Sequence, residues 1–286
     1  VSIISRGNFI QKKYIGVGHE IEVLNGLVAD VSMEFADRKS IDQLELEQWS
    51  QDLFGANNEP QVFNPYREML FELELRYTPG QKYYSEPKRK IIVGSKWPTF
   101  YGKYKKSVPG IFDSQMNFGY REFGAKHEFK PGTWGISRWS ASGGRFLQSE
   151  NLQFTDYKFF RGSDPYLFAN PLQAFQLLGP TISTKNAWFR ANYLHDFGGM
   201  LIDKIPLLNR TPLQLSGGGG FLVIEDGSFF HSELYAGAQL PLRIKKQRFK
   251  FGVYYVTSYS NYTDAIAGQV KFGITMFNSF KNTWDY

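Results

Sequence analysis

Along most of the chain apolar and polar residues alternate one by one, the repeat of a strand whose two faces meet different surroundings. In residues 67–77, Met69, Phe71, Leu73, Leu75 and Tyr77 share one face, and Glu68, Glu72, Glu74 and Arg76 share the other. Residues 27–38 set Leu27, Ala29, Val31, Met33 and Phe35 against Asp30, Ser32, Glu34 and Arg38. Near the C-terminus, Phe249, Phe251, Val253 and Tyr255 oppose Arg248, Lys250 and Gly252. Val270, Phe272, Ile274 and Met276 likewise oppose Gln269, Lys271, Gly273 and Thr275. Less regular stretches lie at 12–24, 90–105, 113–127, 132–146, 150–160, 186–198, 211–225 and 229–242. With a partial strand at the N-terminus, the count comes to about thirteen strands. Asn25-Gly26, Lys130-Pro131-Gly132, Asp226-Gly227-Ser228 and Arg243-Ile244-Lys245 supply short turns between them. Three connections are longer: 40–65, 78–88 and 161–185. In the first, Leu44, Leu46, Trp49 and Leu53 suit a helical excursion with one apolar side.

Strand length decides the class. Strands of soluble proteins centre on about 5–6 residues, whereas these run for about ten or more, as a transmembrane strand must. Aromatic residues near strand ends suit the two membrane interfaces. Examples are Trp97 with Tyr101 and Tyr104, Trp134 with Trp139, and Tyr254 with Tyr255 and Tyr259. The expectation is an all-β fold, a transmembrane antiparallel β-barrel in a bacterial outer membrane, surrounded by outer-membrane lipids. A large soluble β-domain is the alternative. With the C-terminus on the periplasmic side, 161–185 and 259–265 become extracellular loops, and 199–210 and 243–245 periplasmic turns.

Composition removes other classes. A mean hydropathy of −0.37, without any run of ~18 apolar residues, excludes a helical membrane protein. The absence of cysteine excludes disulfide frameworks, thiolate metal sites and Cys nucleophiles. His19, His127, His195 and His231 form no metal-ligand spacing, so no metal or cofactor is expected. Nor is an enzyme, since no GxSxG, HExxH or P-loop motif is present. Adjacent His195 and Asp196 point to opposite faces of a strand. The run Gly217–Gly220 sits inside a strand pattern, where glycine permits bending or close approach. A net charge of +6 suits anionic headgroups here, rather than nucleic acid. The chain opens on VSIIS with no leader pattern. It reads as the C-terminal part, residues 1–286, of a longer barrel.

One short motif stands out, Phe160-Arg161-Gly162, at the root of the long loop and five strands before the end. The stretch FFRGSDPYLFANP is followed by NAWFRANYLHDF, LQLSGGGGFLVIED, HSELYAGAQLPL, RFKFGVYYV and GQVKFGITMF. From about residue 157 to 277 this resembles the BamA/TamA-type superfamily of outer-membrane assembly barrels. The segments RYTPGQKYYSEPKRKIIVGSKWP and DKIPLLNR also look like a Bacteroidota barrel family with a carboxypeptidase-regulatory-like domain upstream. The resemblance implies a sixteen-stranded barrel and a loop 161–185 folded back into the lumen. It further implies an Arg161 latch, with Glu233 as first-choice carboxylate partner and Asp196 as second. It implies a weak seam at the terminal strand, carried by Val270, Phe272, Gly273, Ile274 and Phe277. The implied role is insertion of client barrel proteins, alone or with envelope complex subunits. A passive channel, tuned by Glu72, Glu74, Arg76, Lys250 and Lys271, is the rival, and an accessory structural barrel a third reading. The sequence departs from the superfamily at Ser163, where an aromatic residue is usual, and at Ser216, where an acidic one is. It departs again at 278–286, an extension beyond the final aromatic Phe277.

Overall fold

The computed structural model describes residues 10–41, 62–87, 89–179, 182–225, 228–245, 247–261, 265–278 and 283–285. Alternation becomes strands nearly where it runs. The first are β1 (Ile10–Leu24), β2 (Leu27–Ser40) and β3 (Tyr66–Tyr77). Next come β4 (Lys82–Glu86), β5 (Arg89–Gly94), β6 (Thr99–Ser107), β7 (Asn117–Phe129) and β8 (Ile136–Glu150). Two short strands, β9 (Lys158–Phe159) and β10 (Ser183–Thr184), bracket the long loop. The C-terminal third holds β11 (Trp188–Gly198), β12 (Gln214–Ile224), β13 (Phe229–Ile244), β14 (Gln247–Ser260), β15 (Ala265–Asn278) and β16 (Thr283–Asp285).

Twelve of these form one sheet in the order β1-β2-β3-β6-β7-β8-β11-β12-β13-β14-β15-β16, while β4-β5 and β9-β10 pair separately. The order begins at β1 and ends at β16. Each neighbour follows in sequence, apart from the small pairs that are skipped, as in an antiparallel meander. The protein is all-β.

Two expectations change. The strand foreseen at 90–105 is broken, because Gly94 has φ +122° and Pro98 lacks an amide for a ladder. Its first part turns back on Lys82–Glu86, inside the supposed loop 78–88. The strand foreseen at 150–160 fails at Asn151, whose φ is +58°, and Phe154–Asp156 forms a 3-10 turn instead. Within the extension after Phe277, β16 pairs antiparallel with the end of β15, Phe277 opposite Trp284. The helical excursion within 40–65 falls mostly on residues 42–61, outside the described residues, as does the partial strand at residues 1–9.

Two compact units divide the chain: residues 1–76, 102–122 and 146–157, and residues 77–101, 123–145 and 158–286. In the first, Arg38 is buried between Glu68, at 2.7 Å, and Asp156. The Tyr66 hydroxyl donates to Asp156 Oδ2 at 2.8 Å. The 3-10 turn is thereby tied to β2 and β3. Along β3, Glu72 pairs with Lys103 and, at 3.1 Å, with Lys105, while Arg76 pairs with Glu20. Opposite these, Phe71, Leu73, Leu75 and Tyr77 are exposed.

The second unit shows the same inversion more sharply. On β15, Phe272 and Ile274 are 56% and 59% exposed, whereas Lys271, next to Phe272, is fully buried. On β14, Phe251, Val253 and Tyr255 are exposed, and Lys250 and Tyr254 are buried. On β13, Leu234 is exposed between buried Glu233 and Tyr235. We call the polar, covered side the inner face and the apolar, open side the outer face.

Candidate functional site: a loop clamped to the terminal strand

The inner face of β13–β15 is covered by loop residues 161–179, held by side chains whose placement follows from strand register. Alternation turns Glu233, Tyr235 and Gln239 of β13 inward, beside Tyr254 and Lys250 of β14 and Lys271 and Gly273 of β15. Gly237 and Gly273 flank Tyr254, and Gly252 precedes it on the same face of β14. A Cβ at any of the three would fall within 2.7 Å of the Tyr254 ring. These glycines therefore let the ring lie flat on the sheet. Phe168 stacks on that ring, with centroids 3.7 Å apart and planes 6° from parallel. Leu194, Tyr235 and Val256 complete the buried cluster.

Three sets of polar contacts fix the loop around this stack. Glu233 accepts the backbone N–H of Gln176 at 2.5 Å and of Leu177 at 2.6 Å, and lies 2.8 Å from His231 Nε2. The Lys271 ammonium donates to the carbonyls of Asp164, at 2.6 Å, and Gln176. Gln176 in turn clamps the loop on itself, accepting from the Ala169 amide and donating to the Ala169 and Ala174 carbonyls. Buried charges at Glu233 and Lys271 are tolerable because charge-assisted hydrogen bonds replace their water.

The loop also reaches the backbone of β15, the last long strand. Tyr166–Phe168 runs parallel to β15 at Phe272: the Phe272 N–H donates to the Tyr166 carbonyl, and the Phe168 N–H donates to the Phe272 carbonyl. Gln269 Nε2 donates to the Pro165 carbonyl at 2.7 Å. A three-residue segment thus occupies the middle of β15's outer edge, while β16 occupies Met276–Asn278.

The sequence-derived site is brought together in part. Glu233 does hold the loop, but the expected Arg161–Glu233 ion pair is not formed. Arg161 is exposed, and among the described residues its recorded bond is its own carbonyl accepting the Phe175 amide. Backbone amides fill the place assigned to the guanidinium. Asp196, the second choice, binds Lys250 at 3.1 Å. The neighbours of Arg161 carry the motif's packing. Phe160 is buried edge-on against Trp188, with centroids 5.2 Å apart. Gly162 lies so close to Leu178 that a Cβ would stand 2.6 Å from its carbonyl oxygen. Of the seam residues, Val270, Phe272 and Ile274 point outward, and Gly273 lies under Tyr254. Phe277 lies beneath the Arg248 guanidinium. Tyr254, expected in an interfacial aromatic group, is instead buried beneath Phe168. Sequence reasoning missed Phe168 and Gln176 altogether, since an irregular loop has no period to read.

No group of three or more His, Cys, Asp and Glu residues suited to a metal occurs among the described residues. The family model described as the C-terminal domain of a family of unknown function (DUF5686) matches residues 2–238. No curated protein matches the chain.

Proposed function

We propose that this chain, which belongs to the DUF5686 family, forms part of an outer-membrane β-barrel that assists the insertion of other barrel proteins through its terminal strand. The observation that carries the membrane reading is the inverted polarity of the long strands. In water, leaving Phe272, Ile274, Val253 and Leu234 exposed while burying Lys271 and Lys250 forfeits ~1.5–3 kcal/mol for each apolar side chain. Against lipid the same arrangement is favourable, and the polar inner face becomes a lumen wall.

The assembly role is supported by the edge of β15. Most of a strand edge is a template for another strand, and here a three-residue loop segment holds its centre. Each backbone hydrogen bond there contributes on the order of 1 kcal/mol, so an incoming strand can replace the loop by exchange. The exposed Arg161 withdraws the latch on which the motif-based argument relied, and the reading now rests on this edge. Loop 161–179 lying over the inner face also speaks against a wide, permanently open pore.

Locking the loop tests the role. Residues 1–286 hold no cysteine, so the double variant Leu167→Cys with Phe272→Cys, with any cysteine outside these residues replaced by serine, introduces a single defined cross-link. Oxidation is expected to stop insertion of other outer-membrane barrels, and reductant to restore it. Normal insertion with the cross-link in place, together with altered solute permeability, supports a channel instead.

A further inference from the structure

Within the second compact unit, the inner face of β7 and β8 carries cations that the loop clamp does not use. The Ser140 hydroxyl donates to the Leu172 carbonyl of the covering loop at 3.0 Å. Ser140 therefore faces inward, and alternation turns Arg138 the same way. Arg138 donates from Nε to Glu128 of β7 at 2.6 Å. That contact puts Glu128, and Lys126 two residues before it, on the inner face as well. The Glu128 side chain is 51% exposed and that of Arg138 18%, so the carboxylate holds the guanidinium from its wetter side. The bond engages Nε alone, and the two amino nitrogens have no hydrogen bond among the described residues. Lys126 has no ion pair among them either.

Lys126, Glu128 and Arg138 line a pocket of about 530 Å³ whose other walls include Ile92, Val93 and Leu172. That volume lies within the range of small-molecule sites. The pocket thus joins the β4–β5 hairpin, the inner face and the covering loop. Lys126 and Arg138 against Glu128 leave one positive charge uncompensated beside apolar walls. A guanidinium with both amino nitrogens open is a fork that matches an oxyanion through two parallel hydrogen bonds. Withdrawing it from water without such a partner is costly.

We propose that this pocket binds a small organic anion. Its carboxylate or phosphate group takes both amino nitrogens of Arg138, Lys126 adds a further donor, and an apolar body rests against Ile92, Val93 and Leu172. Glu128 acts as a positioning residue for the guanidinium. The site goes beyond the strand-insertion role and is independent of it. Full-length protein in detergent micelles is titrated calorimetrically with phenyl phosphate, phenylacetate and the neutral 2-phenylethanol, the first two separating a phosphate from a carboxylate source. At least one acid is expected to bind on the order of 1 mM or tighter, and the alcohol at least tenfold more weakly. Arg138→Gln is expected to weaken the acid roughly tenfold, and Lys126→Gln roughly two- to fivefold. Glu128→Gln is expected to tighten it, because a competing negative charge is removed. Hydrogen exchange is expected to slow on binding within residues 91–95 and 170–174 and to stay unchanged along β14. Where Arg138→Gln does not fold, Lys126→Gln and Glu128→Gln, on exposed side chains, carry the same test through their opposite signs. Alcohol binding as tight as that of the acids, effects of one sign in all variants, protection confined to other segments, or no saturable binding of either acid overturns the site.

Discussion

At the scale of single residues, the loop depends on Glu233 and not on Arg161. Removing the charge from Glu233 leaves two buried amides sharing one good acceptor, at a cost of ~1–3 kcal/mol. Glu233→Gln should therefore speed hydrogen exchange at the Gln176 and Leu177 amides by a factor of about ten or more. Arg161→Ala, on an exposed side chain, should change it little, within about 0.5 kcal/mol. Equal effects of the two substitutions would revive the ion-pair latch. Alternation made the inward direction of Glu233 legible, because its neighbours Leu234 and Ser232 fix the phase. Its partner was not legible: backbone amides are identical at every position, and nothing in the letters says which loop residues present theirs. Tyr254 and Tyr255 show the same limit. Strand geometry sends adjacent residues to opposite faces, so only one of the pair can belong to an outer aromatic group, and that one is Tyr255.

At the scale of elements, β15 and the loop form one device. Phe168 contributes a ring stack of ~0.5–1.5 kcal/mol beyond its buried area. Phe168→Ala should release Tyr166–Phe168 from Phe272, raising proteolysis within 163–169 while the strand amides of β13 and β14 stay protected. Lys271→Met should act similarly, since it leaves the Asp164 and Gln176 carbonyls without their shared donor. If the whole sheet loses protection together with the loop in either variant, the loop is not an independent element. Among the long strands with strict alternation, β3 was readable almost to the residue, and β14 and β15 to within about four residues at their ends. Failures came where one residue reverses the backbone, at Gly94 and Asn151. Glycine gives no apolar signal when it does so. Asparagine takes the left-handed region readily but is equally common in ordinary turns.

At the scale of the whole molecule, the central claim is that the outer face meets lipid. An arginine on that face is destabilising by ~2–4 kcal/mol at mid-depth and by much less near the interfaces. Phe251→Arg and Ile274→Arg should therefore lower stability in lipid by that order, measured by reversible denaturant unfolding in vesicles. The most direct measurement is residue-by-residue accessibility along β15. Single cysteines introduced from Val270 to Met276 in the full-length protein, spin-labelled and placed in vesicles, report contact with oxygen in lipid or with a polar relaxation agent in water. The account predicts a period of two, with Val270, Phe272, Ile274 and Met276 accessible to oxygen and shielded from the polar agent, and Lys271, Gly273 and Thr275 shielded from oxygen. Uniform access of the polar agent to Phe272 and Ile274, or oxygen access without alternation, would contradict it.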